Sequence, residues 1–400
     1  MCYKKQSVMV KNLSNSVKYI GTDDVDLKLF ENQYFLPEGM AYNSYLILDE
    51  KVAVLDTTDH RTAKHWQENL KEALEGRTPD YLIVQHLEPD HSALIKWFTE
   101  EYPEAVIVAS ARALSMLPQF FEGFEVRNAL AVKDGDKLEL GSHSLTFVTA
   151  PMVHWPEVIM TYDSTDAALY SADAFGKFGA LSTCGFTGSE DKDWACEARR
   201  YYFNIVGKYG GPVQTVLKKL AGLEIKSIRS LHGPILDGET EKYLHLYDIW
   251  SSYRSECEGV FIACASIHGG TMKAAQYIAE ELRKKGVKVS LSDLCDSDMA
   301  ENVEDAFKYS KMVLAASSYD GGLFTPMYDF LHRLQIKGYC KRKVALVENG
   351  SWAPSAGRVM REMLSSMKEL DLRETIVTIK STVKSTDIEA LDALVNDIAL

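Results

Sequence analysis

The sequence predicts two domains of mixed helix and strand, the first α+β in character and the second α/β. Its 400 residues exceed what one typical core accommodates. Up to about Trp250, short apolar runs and helical stretches mix without strict alternation, the mark of sheets covered by helices. From Gly259 onward strand and helix alternate regularly, the pattern of an open, doubly wound parallel sheet. The boundary falls near Glu256, giving domains 1–256 and 257–400.

In the first domain the predicted strands are Tyr45–Leu48, Val52–Leu55, Tyr81–Val84 and Ala105–Val108. Each is an apolar run bounded by charge or turn residues, as buried strands are. Arg61 to Glu75 has helical periodicity, and Lys137–Leu140 and Ser144–Val148 flank a Gly141-Ser142 turn. In the second domain five strands are expected: Val260–Cys264, one beginning at Val287, Met312–Ala315, Val344–Val347 and Thr375–Ile379. The helices expected there are Met272–Lys285, Tyr328–Gln335, Ala356–Leu370 and Asp387–Ile398.

Hydrophobic residues make up 46% and charged residues 25%, ordinary for a globular protein. The net charge of −13 argues against nucleic acid as a partner, which needs clustered Lys and Arg. Met1 to Asn15 lacks the apolar core of a secretory signal, and no apolar run reaches the ~18 residues of a membrane span. The seven cysteines, Cys2, Cys184, Cys196, Cys257, Cys264, Cys295 and Cys340, are scattered and form no CxxC. They read as reduced thiols of a cytoplasmic protein.

The densest chemical signal is His86-Leu87-Glu88-Pro89-Asp90-His91, directly after the strand ending at Val84. Four potential ligands lie within six residues, on what reads as a turn that Pro89 stiffens. The bland reading is an exposed polar loop. Three later residues sit at other strand exits: His154 in Pro151-Met152-Val153-His154-Trp155-Pro156, Asp173 after Leu169-Tyr170-Ser171-Ala172, and His232 in Ser230-Leu231-His232-Gly233. Taken singly, His154 could stack among its neighbours, Asp173 cap a turn, and His232 serve a turn. As a set they mark a candidate metal centre. His60, His65, His143, His245 and His332 lack such neighbours, although His60 follows a strand and could lie just behind the ligands.

This spacing resembles the metallo-β-lactamase superfamily, whose first motif usually reads HxHxDH, with Glu88 in place of the second His. That replacement, with His154, Asp173 and His232, resembles the flavodiiron proteins. The resemblance implies a metallo-β-lactamase-like αββα sandwich. It also implies one iron held by His86, Glu88 and His154, a second by Asp90, His91 and His232, and Asp173 as the bridge. Carboxylates suit iron and offset the repulsion of two close cations. A binuclear zinc hydrolase with a flavodoxin-like accessory domain is the competing reading, and an FMN-only electron carrier a third.

In the second domain, Ser266-Ile267-His268-Gly269-Gly270-Thr271 joins a strand to a helix. Hydroxyls and glycines at a helix N-terminus make a ready anion site. A plain Ser/Gly-rich turn is the alternative. Two more loops follow predicted strands: Ser317-Ser318-Tyr319-Asp320-Gly321-Gly322 and Asn349-Gly350-Ser351-Trp352. These resemble the phosphate loop and the two ring loops of flavodoxins, with a doubly wound five-stranded sheet and FMN implied; the role of His268 is open.

The resemblance covers the chain in the expected order, with no rubredoxin or flavin reductase domain after Leu400. It implies an oxidoreductase that reduces O2 to water, NO to nitrous oxide, or both. Electrons would come from a redox protein such as rubredoxin. A head-to-tail homodimer, alone or as a dimer of dimers, would bring FMN of one subunit beside the irons of the other.

Overall fold

A computed structural model describes residues 10–400. Cys2 and the first nine residues of the Met1–Asn15 stretch lie outside them. The chain forms two compact units, one ending at Tyr202 and resuming over Gly211–Tyr247, the other made of Phe203–Gly210 and Asp248–Leu400.

The first unit contains two large sheets. One has seven strands in the order Lys11–Asn12, Val17–Tyr19, Tyr45–Leu48, Val52–Leu55, Tyr81–Ile83, Val106–Ser110 and Ala129–Val132. The other has six, in the order Lys137–Glu139, Ser144–Thr149, Ile159–Asp163, Ala168–Tyr170, Ser227–Arg229 and Leu236–Asp237. Side chains of a strand alternate between faces. Tyr45, Ile47, Leu55 and Ile83 therefore join Phe147, Ile159 and Tyr170 in one core between the sheets. Leu46, Val54 and Leu82 point the other way into a second core with Trp66, Leu70 and Phe98 from helices. Burial on both faces is why these strands read as unbroken apolar runs. Helix Ala63–Ala73 supplies its share at Trp66, Leu70 and Ala73, one stripe of a 3.6-residue period.

The second unit has parallel strands β1 (Cys257–Ala265), β2 (Val289–Asp293), β3 (Tyr309–Tyr319), β4 (Lys343–Asn349) and β5 (Asp371–Ile379). Their order is β2-β1-β3-β4-β5. Helix α1 (Gly270–Lys284) buries Ala274, Ala275, Ile278, Ala279 and Leu282 against one face. The order reverses between β1 and β3, and the crevice at the carboxyl ends of such strands is the usual ligand site of this architecture.

Several elements differ from expectation. Ser317 to Tyr319 are not loop but the end of β3, which turns back on Gly322–Leu323. Asp320 and Gly321 have φ of 48° and 71°, so both central residues of this tight hairpin lie in the left-handed region. The helix predicted to Leu370 stops at Ser365, because β5 already begins at Asp371. Helix Met299–Lys308 is an addition, started by the Asp298 carboxylate, which accepts from Ala300 N and Glu301 N.

Candidate metal centre and anion loop

Asp56 lies just past strand Val52–Leu55 with φ of 54°. Its carboxylate accepts from the Gln85 backbone N–H and side-chain amide, both at 2.8 Å. Two neighbouring strand exits are thereby tied together at the start of the ligand segment. Burial raises the Asp56 carboxyl to about 6, against the pull of the Gln85 donors. The segment is not one turn as expected. His86 and Glu88 lie outside any helix or strand, while Asp90 and His91 belong to a one-turn helix, Pro89–Ser92, with Pro89 at its first position.

The structure brings all seven predicted side chains together. His86, His91, Asp173 and His232 are fully buried, and Asp90 and His154 are nearly so. Glu88 Oε2 lies 3.3 Å from His86 Nε2 and 3.1 Å from His154 Nε2. Asp173 Oδ2 faces the same two nitrogens at 3.6 and 3.0 Å. Asp173 Oδ1 faces the other way, 3.2 Å from His91 Nε2 and 3.8 Å from His232 Nε2. Asp90 Oδ2 stands 3.4 Å from each of those nitrogens. Two half-sites therefore share one carboxylate, with one oxygen in each.

The turn that carries Asp173 holds Ala172 at φ 50° and Phe175 at φ 67°, both left-handed. Orientation of the rings is set from behind. His86 Nδ1 meets Glu157 Oε1 at 2.8 Å, and His232 Nδ1 donates to the Ala41 carbonyl at 2.8 Å. Each leaves Nε2 free for the centre.

These residues fit a pair of cations. Both Asp90 oxygens and Asp173 Oδ1 are buried without a hydrogen-bond donor. His91 Nε2 and His232 Nε2 face each other at 3.1 Å. Buried carboxylate oxygens without donors are costly unless a cation satisfies them. Protons partly substitute: burial disfavours charged rings, but Asp173 and Glu88 outweigh it and raise His154 to about 9. Burial lifts the Asp90 carboxyl to about 7, helped by Glu88 and Asp173.

In the second unit the anion loop leads from β1 into α1. Ser266 Oγ accepts from Gly269 N at 3.0 Å, and Thr271 Oγ1 lies 2.8 Å from Ser317 Oγ. Ile267 and His268 are exposed. Tyr319 is 47% and Trp352 93% exposed, so both rings stand open at the carboxyl end of the sheet. Ser318 Oγ is already engaged, accepting from Ser355 N and Ala356 N at 2.8 and 3.1 Å.

A family model described as ODP family β-lactamase matches residues 40–233. A putative diflavin flavoprotein A 1 of Nostoc sp. is 32% identical over 317 residues, covering 78% of this chain and 54% of the relative. An anaerobic nitric oxide reductase flavorubredoxin of Salmonella arizonae is 29% identical over 326 residues, covering 80% of this chain and 67% of its own. Among solved structures, the flavodiiron protein from Giardia intestinalis superposes with a TM-score of 0.92 at 23% identity, covering 99% and 97% of the two chains. The chain is a homologue of the diflavin flavoproteins and flavorubredoxins, and it has the fold of the flavodiiron proteins.

The rubredoxin oxygen:oxidoreductase of Desulfovibrio gigas shares the flavodiiron fold, with a TM-score of 0.91 at 22% identity over 98% of each chain. The chain spans about half the length of the first curated relatives it matches. Behind the centre, Glu157 and Asp56 are positioning residues that the sequence does not mark with a motif. For Glu157, a lone carboxylate three places after His154, in an otherwise apolar stretch, was the available signal.

Two histidine expectations resolve. His60 stays out of the centre, 78% exposed beside Asp59. His143 does not lack neighbours: it is buried, with Nδ1 2.8 Å from Asp163 Oδ2 and Nε2 2.6 Å from Ser16 Oγ. His143, Asp163 and Asp166 lie close enough to hold an ion. Both His143 nitrogens are already satisfied, however, which contrasts with the orphaned oxygens of Asp90 and Asp173.

Proposed function

We propose that the chain is a flavodiiron oxidoreductase that reduces O2 to water, NO to nitrous oxide, or both. The observation that carries the reading is Asp173, whose two oxygens face separate pairs of histidine nitrogens. His86, Glu88 and His154 would hold one iron, Asp90, His91 and His232 the other, with Asp173 between them. When bound, two irons supply a place for a diatomic gas and FMN supplies one-electron steps.

The protein's part is positioning. Glu157 and the Ala41 carbonyl fix the His86 and His232 rings, and Asp56 fixes the segment that carries four ligands. Ser266, Ile267, His268, Gly269, Gly270 and Thr271 would take the FMN phosphate at the α1 N-terminus. Ser317 to Gly322 and Gly350 to Trp352 would line the flavin ring. The flavoprotein, nitric oxide reductase and rubredoxin terms in the relatives' names support the oxidoreductase and its cofactors.

A separate redox protein such as rubredoxin would donate electrons. A head-to-tail homodimer would seat one subunit's flavin near its partner's irons, and the bare Trp352 ring suits such a contact. No helix among the described residues is long and apolar enough to cross a membrane, and the six described cysteines are free thiols, which fits a reducing cytoplasm.

The test is the metal and flavin content of the purified chain, followed by O2 and NO consumption with reduced rubredoxin. Two irons and one FMN per chain, with consumption of either gas, are expected. Zinc without flavin would turn the reading to hydrolysis.

A further inference from the structure

The loop after β5, residues 380–384, is absent from the flavin contacts expected from the sequence. It is nevertheless locked to the anion loop. Asn349 ends β4 and is 8% exposed. Its Nδ2 donates to the Ser381 carbonyl at 3.1 Å, and its Oδ1 accepts from Ser381 N at 3.0 Å. The side-chain amide thus pairs with one backbone unit as a further rung beyond Ile379, the β5 partner of Asn349. Ser381 has φ of 71°, a conformation that needs outside support. Ser351 Oγ adds a tie at 2.9 Å to Ser381 Oγ.

The same carbonyl abuts the anion loop. A side-chain carbon on Gly270 would stand 2.0 Å from Ser381 O and 3.2 Å from Asn349 Nδ2. Gly270 is the first residue of α1, so any shift of Ser381 is felt where the helix N–H groups begin.

We propose that Asn349 is a positioning residue for the phosphate end of the flavin site. It holds Ser381 against Gly270, which sets the anion loop, and it does not contact the flavin ring. This rests on the flavin reading above. It gives Asn349 a role unlike the ring contact expected from the sequence.

The experiment titrates the flavin-free full chain with FMN and with riboflavin, which lacks the phosphate, following flavin fluorescence. Wild type, Asn349→Ala, Asn349→Asp and Gly270→Ala are compared. FMN affinity should fall about tenfold in Asn349→Ala and Gly270→Ala, the loss of roughly one net hydrogen bond, and by at least as much in Asn349→Asp, whose carboxylate cannot donate to the Ser381 carbonyl. Riboflavin affinity should change by less than about twofold. Equal loss for both flavins, as a ring contact or general unfolding would give, overturns the proposal, and so does no loss for either. A wild type that binds neither flavin overturns the flavin reading itself. If Asn349→Ala does not fold by circular dichroism, Asn349→Asp and Gly270→Ala probe the same contact.

Discussion

His86 Nδ1 lies 2.8 Å from Glu157 Oε1, and both side chains are fully buried. Glu157 Oε1 also accepts from Leu87 N at 3.0 Å, so one carboxylate fixes both the ring and the chain beside it. Partners of this kind set ring tautomer and ligand basicity. Glu157→Gln should lower metal affinity by about 10–100-fold while the fold persists. Competition with a chelator measures it, and unchanged affinity would show that the His86 ring is held by packing alone.

Metal uptake should depend on pH. With no cation present, His154 keeps its proton up to about 9, since Asp173 and Glu88 outweigh the effect of burial. A cation must displace that proton. Apparent affinity is therefore expected to climb as pH rises toward about 9, by roughly tenfold per unit for each proton released. Calorimetry in buffers of different ionisation heat counts those protons; a count of zero would contradict the protonated ring.

His143 gives stability the opposite pH dependence. Its hydrogen bond to Asp163 raises it above the ordinary value of 6.5, with burial opposing. A raised histidine stabilises fully below its unfolded value, and the gain fades as pH rises through the folded one. His143→Gln should thus cost most in acid and progressively less toward alkaline pH. Urea midpoints at several pH values test this, and a constant difference would mean that only packing was lost.

Arg342 is 3% exposed and meets carbonyls alone. Nε donates to Tyr309 O at 2.8 Å and Nη1 to Tyr253 O at 2.7 Å, while Nη2 reaches Phe307 O. Arg342→Met would strand these carbonyls and should destabilise the second unit by about 2–4 kcal/mol. Arg342→Lys should not rescue it, because one ammonium cannot span the fork. Chemical denaturation followed by circular dichroism reads both variants.

The second unit was largely legible because parallel strands buried on both faces leave apolar runs such as Val260–Cys264 and Val344–Val347. Helix Met299–Lys308 escaped notice because Glu301, Glu304 and Asp305 mask the stripe formed by Ala300, Val303, Ala306 and Phe307. Ser317 to Tyr319 read as loop by their polarity, yet pairing with neighbouring strands extends β3 through them. The proposed ligands stood out as a dense motif with separate strand exits. Glu157 carried no motif, and the partners of His143 lie 127 and 20 residues away, beyond any local pattern.

Asp173 has a consequence for how the centre fills. A cation entering either half draws on a carboxylate that the other half also needs, and it fixes the orientation of both oxygens at once. Occupancy of one half therefore alters the affinity of the other, and thermodynamic reciprocity makes the factor the same in both directions. A metal titration of this chain should not follow two independent isotherms, and Asp173→Asn, which removes the shared charge, should change the cooperativity as well as the strength of binding.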